Sequence, residues 1–265
     1  MKLTTLGTGT VTPHALRTSA CHYLEATEAT EEREAPPFRL LLDCGAGSLH
    51  RMAQHGIPWR DIDCVAITHF HADHWGELAA LIFAMKYGAT EPRKTGLTLI
   101  GPVGLRDRLT RLAQAFGEWV AEPGFPLDLV ELIPLATHHS PRPGIRIACC
   151  KTPHTPESVA FAVEAGGARL VYTGDTGPSD ALGDWARHCD LLLSECSLPD
   201  SMAMDMHLTP RQAGRLAARA DAKRLVLTHL YPPVESVDIV AEARQAYGGP
   251  VSVAADGSTF ETGSR

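Results

Sequence analysis

The sequence predicts a mixed α and β protein: two β-sheets packed face to face, with helices on the outside. Three observations carry that prediction. Short apolar runs rich in branched residues alternate with stretches of helical periodicity along the chain. In each half the strand-like runs come first and helical ones follow, which layers two sheets between helices. The chain has 265 residues, 44% of them hydrophobic, enough to bury such a core in one large domain or two fused halves, and a single domain spanning 1–265 is the expectation.

Taken in order, strands are expected near 2–7, 21–25, 38–43, 62–68, 97–100 and 128–132 in the first half. In the second half they are expected near 145–151, 158–164, 168–173, 190–194, 224–228 and 250–254. Helical spacing marks 46–55, 75–87, 103–116, 180–187, 210–220 and 236–247. Thr209 before Pro210 reads as an N-cap followed by a first-turn proline. Gly248-Gly249-Pro250 stops the last helix. The acidic, proline-terminated stretch 26–37 reads as a solvated hairpin loop, and 117–127 and 137–144 as loops, the former flexible. No internal repeat stands out.

Composition narrows the function. No apolar stretch approaches a membrane span, and the N-terminus lacks the charged head and apolar run of a signal peptide. A cytoplasmic protein with no membrane partner is expected. The seven cysteines are odd in number and form no C-x-x-C pair, so they read as reduced, buried small side chains. A net charge of −7 argues against a general nucleic-acid binder, which is usually basic.

The chemistry concentrates in "AITHFHADHWGE", residues 66–77. A buried strand precedes the cluster and a helix follows it, so the cluster is placed in a loop at a strand's C-terminal end, where α/β proteins put their sites. Imidazole and carboxylate together suit zinc, with manganese or iron as substitutes. His69, His71, Asp73 and His74 crowd one metal but can point in two directions and serve two. Three later segments repeat the grammar: "IACCKTPH" ends in His154, "RLVYTGDTG" carries Asp175, and "KRLVLTHLYPP" carries His229. Singly these read as a loop histidine, a turn or cap residue and a satisfied histidine. As an ordered set with the first cluster they do not read as accident.

"HFHADH" with His154, Asp175 and His229 resembles the H-x-H-x-D-H…H…D…H pattern of metallo-β-lactamase-fold hydrolases. "LTTLGTGT" is similar to that superfamily's first strand, and "RLLLDCGAGS" to its second signature, with Asp43 at the aspartate. The resemblance spans nearly the whole chain. It implies an αββα four-layer sandwich of two mixed sheets and a dinuclear site in the cleft between its halves. By resemblance His69, His71 and His154 hold one metal, Asp73, His74 and His229 the other, and Asp175 bridges them. Asp43 is then a group that orients a ligand histidine. A pair of divalent ions, zinc first among the candidates, would bring a water's pKa near neutrality and stabilise charge on substrate oxygens.

Within the superfamily, "LLLSECSLPDSMAMDMHLTPRQAGRLAARADAKRLVLTHLYPP" resembles the ribonuclease Z-like branch, with its S-E-x, H-x-T and L-T-H segments. His71 in place of a carboxylate sets the chain apart from di-iron electron-transfer members, and Asp175 in place of cysteine from antibiotic-hydrolysing ones. The resemblance implies that His207 donates a proton to the leaving alkoxide or contacts the phosphoryl oxygen. Asp73 would also act on the attacking water, and Glu195 would tune His207. His14, His138 and His139 have no assigned role. Transfer-RNA-processing members carry a long arm between the residues matching His154 and Asp175. Here "TPESVAFAVEAGGARLVYTG" leaves room only for a hairpin. The expectation is therefore a phosphodiesterase of small or non-transfer-RNA esters, a homodimer by family resemblance. A lactone, ester or thioester hydrolase is the first alternative. It lacks an evident carbonyl-holding tyrosine, because Tyr172 is expected to point into the strand layer. A transfer-RNA 3′-processing endonuclease and a non-catalytic metal binder are the others.

Overall fold

The structure is a computed structural model that describes residues 1–27, 36–140 and 142–262. Strands β1 (Lys2–Gly7), β2 (Cys21–Ala26), β3 (Phe38–Leu42), β4 (Cys64–Ala66), β5 (Leu97–Pro102) and β6 (Leu127–Leu132) belong to one sheet. The other holds β7 (Thr137–His139), β8 (Arg146–Lys151), β9 (Val159–Ala165), β10 (Ala168–Tyr172), β11 (Leu191–Glu195), β12 (Leu225–Thr228) and β13 (Val251–Val253). The last strand, β14 (Ser258–Glu261), returns to the first sheet beside β1. The helices are α1 (Ser48–Gln54), α2 (Ala72–Trp75), α3 (Leu78–Tyr87), α4 (Leu105–Phe116), α5 (Asp180–Trp185), α6 (Pro210–Arg219) and α7 (Ile239–Arg244).

Each sheet has seven strands, in the orders β14-β1-β2-β3-β4-β5-β6 and β13-β12-β11-β10-β9-β8-β7. Both run antiparallel over three pairings and then parallel over three. The architecture repeats even though the sequence does not. Alternate residues of the strands face a shared layer between the sheets, where Leu24, Leu40, Leu42, Phe161, Leu170, Leu193 and Val226 are fully buried. The opposite faces bury a second layer against α3 and α4 and a third against α5, α6 and α7. This is the αββα sandwich, each fully buried leucine contributing about 1.5–3 kcal/mol.

Several boundaries differ from the expected ones. The strand expected over 62–68 is only Cys64–Ala66, and the helix expected over 75–87 is two pieces, Ala72–Trp75 and Leu78–Tyr87. The break falls at Gly76. There the chain turns so that the Glu77 amide donates to the Cys44 carbonyl and the Cys44 amide to that of His74. Asp73 and His74 are thus helical, not in the loop expected for the whole cluster. Within 137–144, expected as a loop, Thr137–His139 pairs with β8, which would otherwise expose its edge. Strand β14, unexpected, covers the edge of β1 in the same way. The segment 117–127, expected to be flexible, is anchored by buried Val120 and Phe125 and contains a 3₁₀ turn at Glu118–Val120. The helix expected over 236–247 shortens to α7, because Pro232–Ser236 forms a 3₁₀ turn and Asp238 caps the Ala241 amide. Residues 28–35 of the acidic stretch and Pro141 lie outside the described residues.

Other expectations hold. Thr209 and Gln212 form a capping box at the start of α6. All seven cysteines are buried and free. Between His154 and Asp175 the chain is the hairpin β9–β10, closed by Gly166 and Gly167 at φ 57 and 77, the left-handed pair a two-residue hairpin turn requires. Among the described residues no helix is long and apolar enough to cross a membrane.

Candidate metal centre

The parallel strands of both sheets end at the same cleft. His69 and His71 follow β4, and Asp73 and His74 lie in α2. His154 sits in the turn after β8, Asp175 in the loop after β10, and His229 directly after β12. Gly174, at φ 55, lets the Asp175 loop close on the first sheet: a Cβ there would meet the Thr68 Cβ at 2.7 Å.

Seven side chains converge. His69, His71, His154 and Asp175 offer donor atoms within 4.8 Å of one another, as do Asp73, His74 and His229. Asp175 stands between the two sets and divides its oxygens. Its Oδ1 lies 3.1 Å from His74 Nε2 and 3.3 Å from His229 Nε2. Its Oδ2 lies 3.5 Å from His154 Nε2 and 3.8 Å from His69 Nε2. A third group joins Asp175, His229 and His207. His69, His74, Asp73, Asp175 and His229 are buried, whereas His71 is exposed and His154 and His207 are partly so, which puts the opening on that side.

The outward Nδ1 atoms of His69, His74, His154, His207 and His229 are all committed. His74 Nδ1 donates to Asp43 Oδ2 at 2.7 Å. Asp43 also accepts from the Thr68 amide at 2.7 Å, the Thr68 hydroxyl at 2.9 Å and the Tyr172 hydroxyl at 2.8 Å. With its proton given to Asp43, Thr68 Oγ1 accepts from His69 Nδ1 at 3.1 Å. Glu195 repeats the device. It accepts from the Thr176 and Leu208 amides at 2.6 and 3.0 Å, from the Ser197 hydroxyl at 2.6 Å and from His207 Nδ1 at 3.0 Å. Ser197 Oγ then accepts from His229 Nδ1 at 3.0 Å. His154 Nδ1 donates to the Met206 carbonyl at 3.1 Å.

These acceptors set the tautomers. Protons on Nδ1 leave the Nε2 lone pairs of His69, His74, His154 and His229 facing inward. His74 and His229 bring Nε2 atoms to 3.3 Å, and His154 Nε2 meets His71 Nδ1 at 3.1 Å. Buried His69 Nε2 and Asp175 Oδ1 make no hydrogen bond. Converging lone pairs and an orphaned carboxylate oxygen repel unless cations lie among them, so this donor set fits two metal ions. Its nitrogen and oxygen donors suit zinc, manganese or iron.

Burial opposes charge on His74, but Asp175 and Asp43 outweigh it and raise the imidazole well above its usual range. Burial opposes charge on Asp175, but His229 and His74 outweigh it and hold the carboxyl well below the usual range. Burial, reinforced by His74, pushes the His69 imidazole far down. His207 moves the other way: burial opposes its charge, but the bond to Glu195 raises it.

Sequence reasoning missed four residues at this centre. Thr68 and Ser197 relay the two carboxylates to His69 and His229. Tyr172 points into the inter-sheet layer as expected, yet its hydroxyl serves Asp43. Tyr231 lies partly buried beside the cleft, its ring 6.0 Å from that of His207 and 5.8 Å from that of His229. Its place two residues past His229 was the available signal. His14 joins neither donor set: its Nδ1 accepts from the Leu16 amide, and its Nε2 lies 3.6 Å from Glu235. His138 and His139 lie on edge strand β7.

Residues 38–230 match the family described as the beta-lactamase superfamily domain. Ribonuclease Z of Myxococcus xanthus is 32% identical over 276 residues, covering 84% of this chain and 88% of that protein. The metallo-beta-lactamase fold protein YhfI from Bacillus subtilis superimposes with a TM-score of 0.81 at 24% identity, over 98% of both chains. The short form of human tRNase Z does so with a TM-score of 0.77 at 24% identity, over 99% of this chain and 100% of that one.

Proposed function

The chain belongs to the metallo-β-lactamase-fold hydrolases, in their ribonuclease Z-like branch, and from that premise we propose that it is a two-metal phosphodiesterase acting on a small phosphodiester. The observation that carries this reading is the divided Asp175, each oxygen turned to a different donor set, with Glu195-held His207 beside it. His69, His71 and His154 would hold one ion, Asp73, His74 and His229 the other, and Asp175 both. Two such ions, zinc in the first instance, would make a water acidic enough to attack at neutral pH and offset charge on the phosphoryl oxygens.

The residues supply the rest. Asp73 orients the attacking water and draws on its proton. As the new P–O bond forms, the bond to the leaving alcohol breaks, and His207 gives its Nε2 proton to the departing oxygen. Glu195 favours the protonated imidazole that this role needs. The tight β9–β10 hairpin and the net charge of −7 favour a small substrate over transfer RNA. A lactone, ester or thioester hydrolase is the second reading, and Tyr231 favours it: it is a tyrosine near the centre that could hold a carbonyl.

Metal analysis should find about two ions per chain, and bis(p-nitrophenyl) phosphate or 2′,3′-cyclic nucleotides should be hydrolysed ahead of precursor transfer RNA and acyl lactones. Turnover of lactones alone would replace the reading with the second, and cleavage of precursor transfer RNA alone would make the protein a 3′-processing endonuclease. His207→Ala should lose turnover by about 10²–10⁴-fold and keep both ions. Loss of an ion would move His207 into the metal set.

A further inference from the structure

Of the five imidazoles His69, His74, His154, His207 and His229, His154 alone has an Nδ1 that reaches no buried carboxylate, directly or through a hydroxyl. Its Nδ1 partner is the Met206 carbonyl, on a loop whose Met202, Met204 and Met206 side chains are exposed. Something else must hold the turn that carries it. Lys151, the last residue of β8, folds back over that turn. Its Nζ donates to three backbone carbonyls: Thr152 at 2.6 Å, Thr155 at 2.5 Å and Ser158 at 3.2 Å. An ammonium has three protons to give, and three carbonyl oxygens turned toward one point repel without a cation. The turn is closed further by the Thr152 amide on the Ser158 carbonyl and by Thr155 and Ser158 hydroxyls at 2.5 Å. It is tied to the first sheet by the Val159 amide on the Thr68 carbonyl, next to His69.

We propose that Lys151 is a positioning residue for one of the two metal sites: its ammonium, clamped on three carbonyls of the His154 turn, fixes His154 against His69 and His71. The inference rests on the two-metal reading but concerns only the set that contains His154. Lys151 itself does not touch substrate.

The test is stepwise metal binding by the full-length protein, followed by titration with cobalt(II) and its visible absorption. Wild type should fill two sites. Lys151→Met, which keeps the aliphatic stem and removes the ammonium, should weaken one site about tenfold, the low end for loss of an outer partner, and leave the other unchanged. In Lys151→Ala, added ethylammonium should restore the weakened site, whereas an equal concentration of sodium should not. A structural role alone predicts no such rescue. Equal weakening of both sites, unchanged binding in Lys151→Met, or rescue failing in a folded Lys151→Ala would each overturn the proposal. A wild-type protein that binds no cobalt would instead overturn the two-metal reading.

Discussion

Asp43 and Glu195 are both fully buried, and each accepts one imidazole Nδ1–H directly and a second through a hydroxyl. One follows β3 of the first sheet, and the other ends β11 of the second. What they hold differs. Asp43 serves His74 and His69, two histidines with no exposure, and its other donors are Thr68 and Tyr172. Glu195 serves His229, deep in the centre, and His207, whose side chain keeps 11% exposure at the mouth. Its two amide donors come from separate loops, Thr176 beside Asp175 and Leu208 beside His207. The same device is used twice, once on two histidines of the candidate metal sets and once to link His229 of those sets to His207, the proton donor of the proposed reaction. Asp43 should therefore govern whether the centre exists, and Glu195 how well it turns over.

The largest expected effect breaks the first half of that comparison. Asp43→Ala strips the acceptor from His74, the Thr68 amide and the Tyr172 hydroxyl, all in the interior. Leaving such groups without their charged partner costs about 3–5 kcal/mol. Urea unfolding of the apo protein should register that loss, and metal analysis should find both sites depleted. Stability within about 1 kcal/mol of wild type would mean that Asp43 is not the hub the distances describe.

Glu195→Gln should act on rate more than on content. The side chain keeps its shape but presents an amide to donors, and the imidazole it would steady in the protonated form is His207. A fall in kcat of about 10²–10³-fold is expected, with metal content reduced by less than one ion per chain. Metal analysis beside steady-state kinetics reads both quantities. If metal content falls in step with kcat, Glu195 is a second Asp43 and the contrast between the carboxylates disappears.

The candidate donor set was legible because it is written locally. H-x-H-x-D-H packs four donors into six residues, and His154, Asp175 and His229 each fall just past an apolar run whose period marks a strand. The outer partners are not written that way. Tyr172 reaches Asp43 across 129 positions, and Ser197 reaches His229 across 32. The first pairing depends on which strands of the two sheets face each other, and the second on β11 lying beside β12 in one sheet. Backbone strain was equally hidden: Asp43 and His229 both sit at positive φ, 61 and 57, where side chains other than glycine are disfavoured. The edge strands β7 and β14 were missed for a related reason. Each is three or four residues long and is specified by the exposed edge it covers, not by its own pattern. The break at Gly76 was masked by helical spacing on both sides of it.

The smallest effect is the sharpest probe of how Asp43 is built. Tyr172→Phe removes one donor and no volume to speak of. Asp43 Oδ2 keeps the Thr68 hydroxyl and His74 Nδ1, and Oδ1 keeps the Thr68 amide, so the carboxylate stays satisfied. The phenyl ring still packs edge-on to His22, 4.9 Å away between centroids. The expected loss is about 1 kcal/mol of stability, read by urea unfolding, with both metal sites filled. Loss of a metal ion on so mild a change would show that the tyrosine hydroxyl, not Thr68, sets the direction of the Asp43 carboxylate. The first sheet's hub would then depend on the second sheet as closely as Glu195 depends on its two loops.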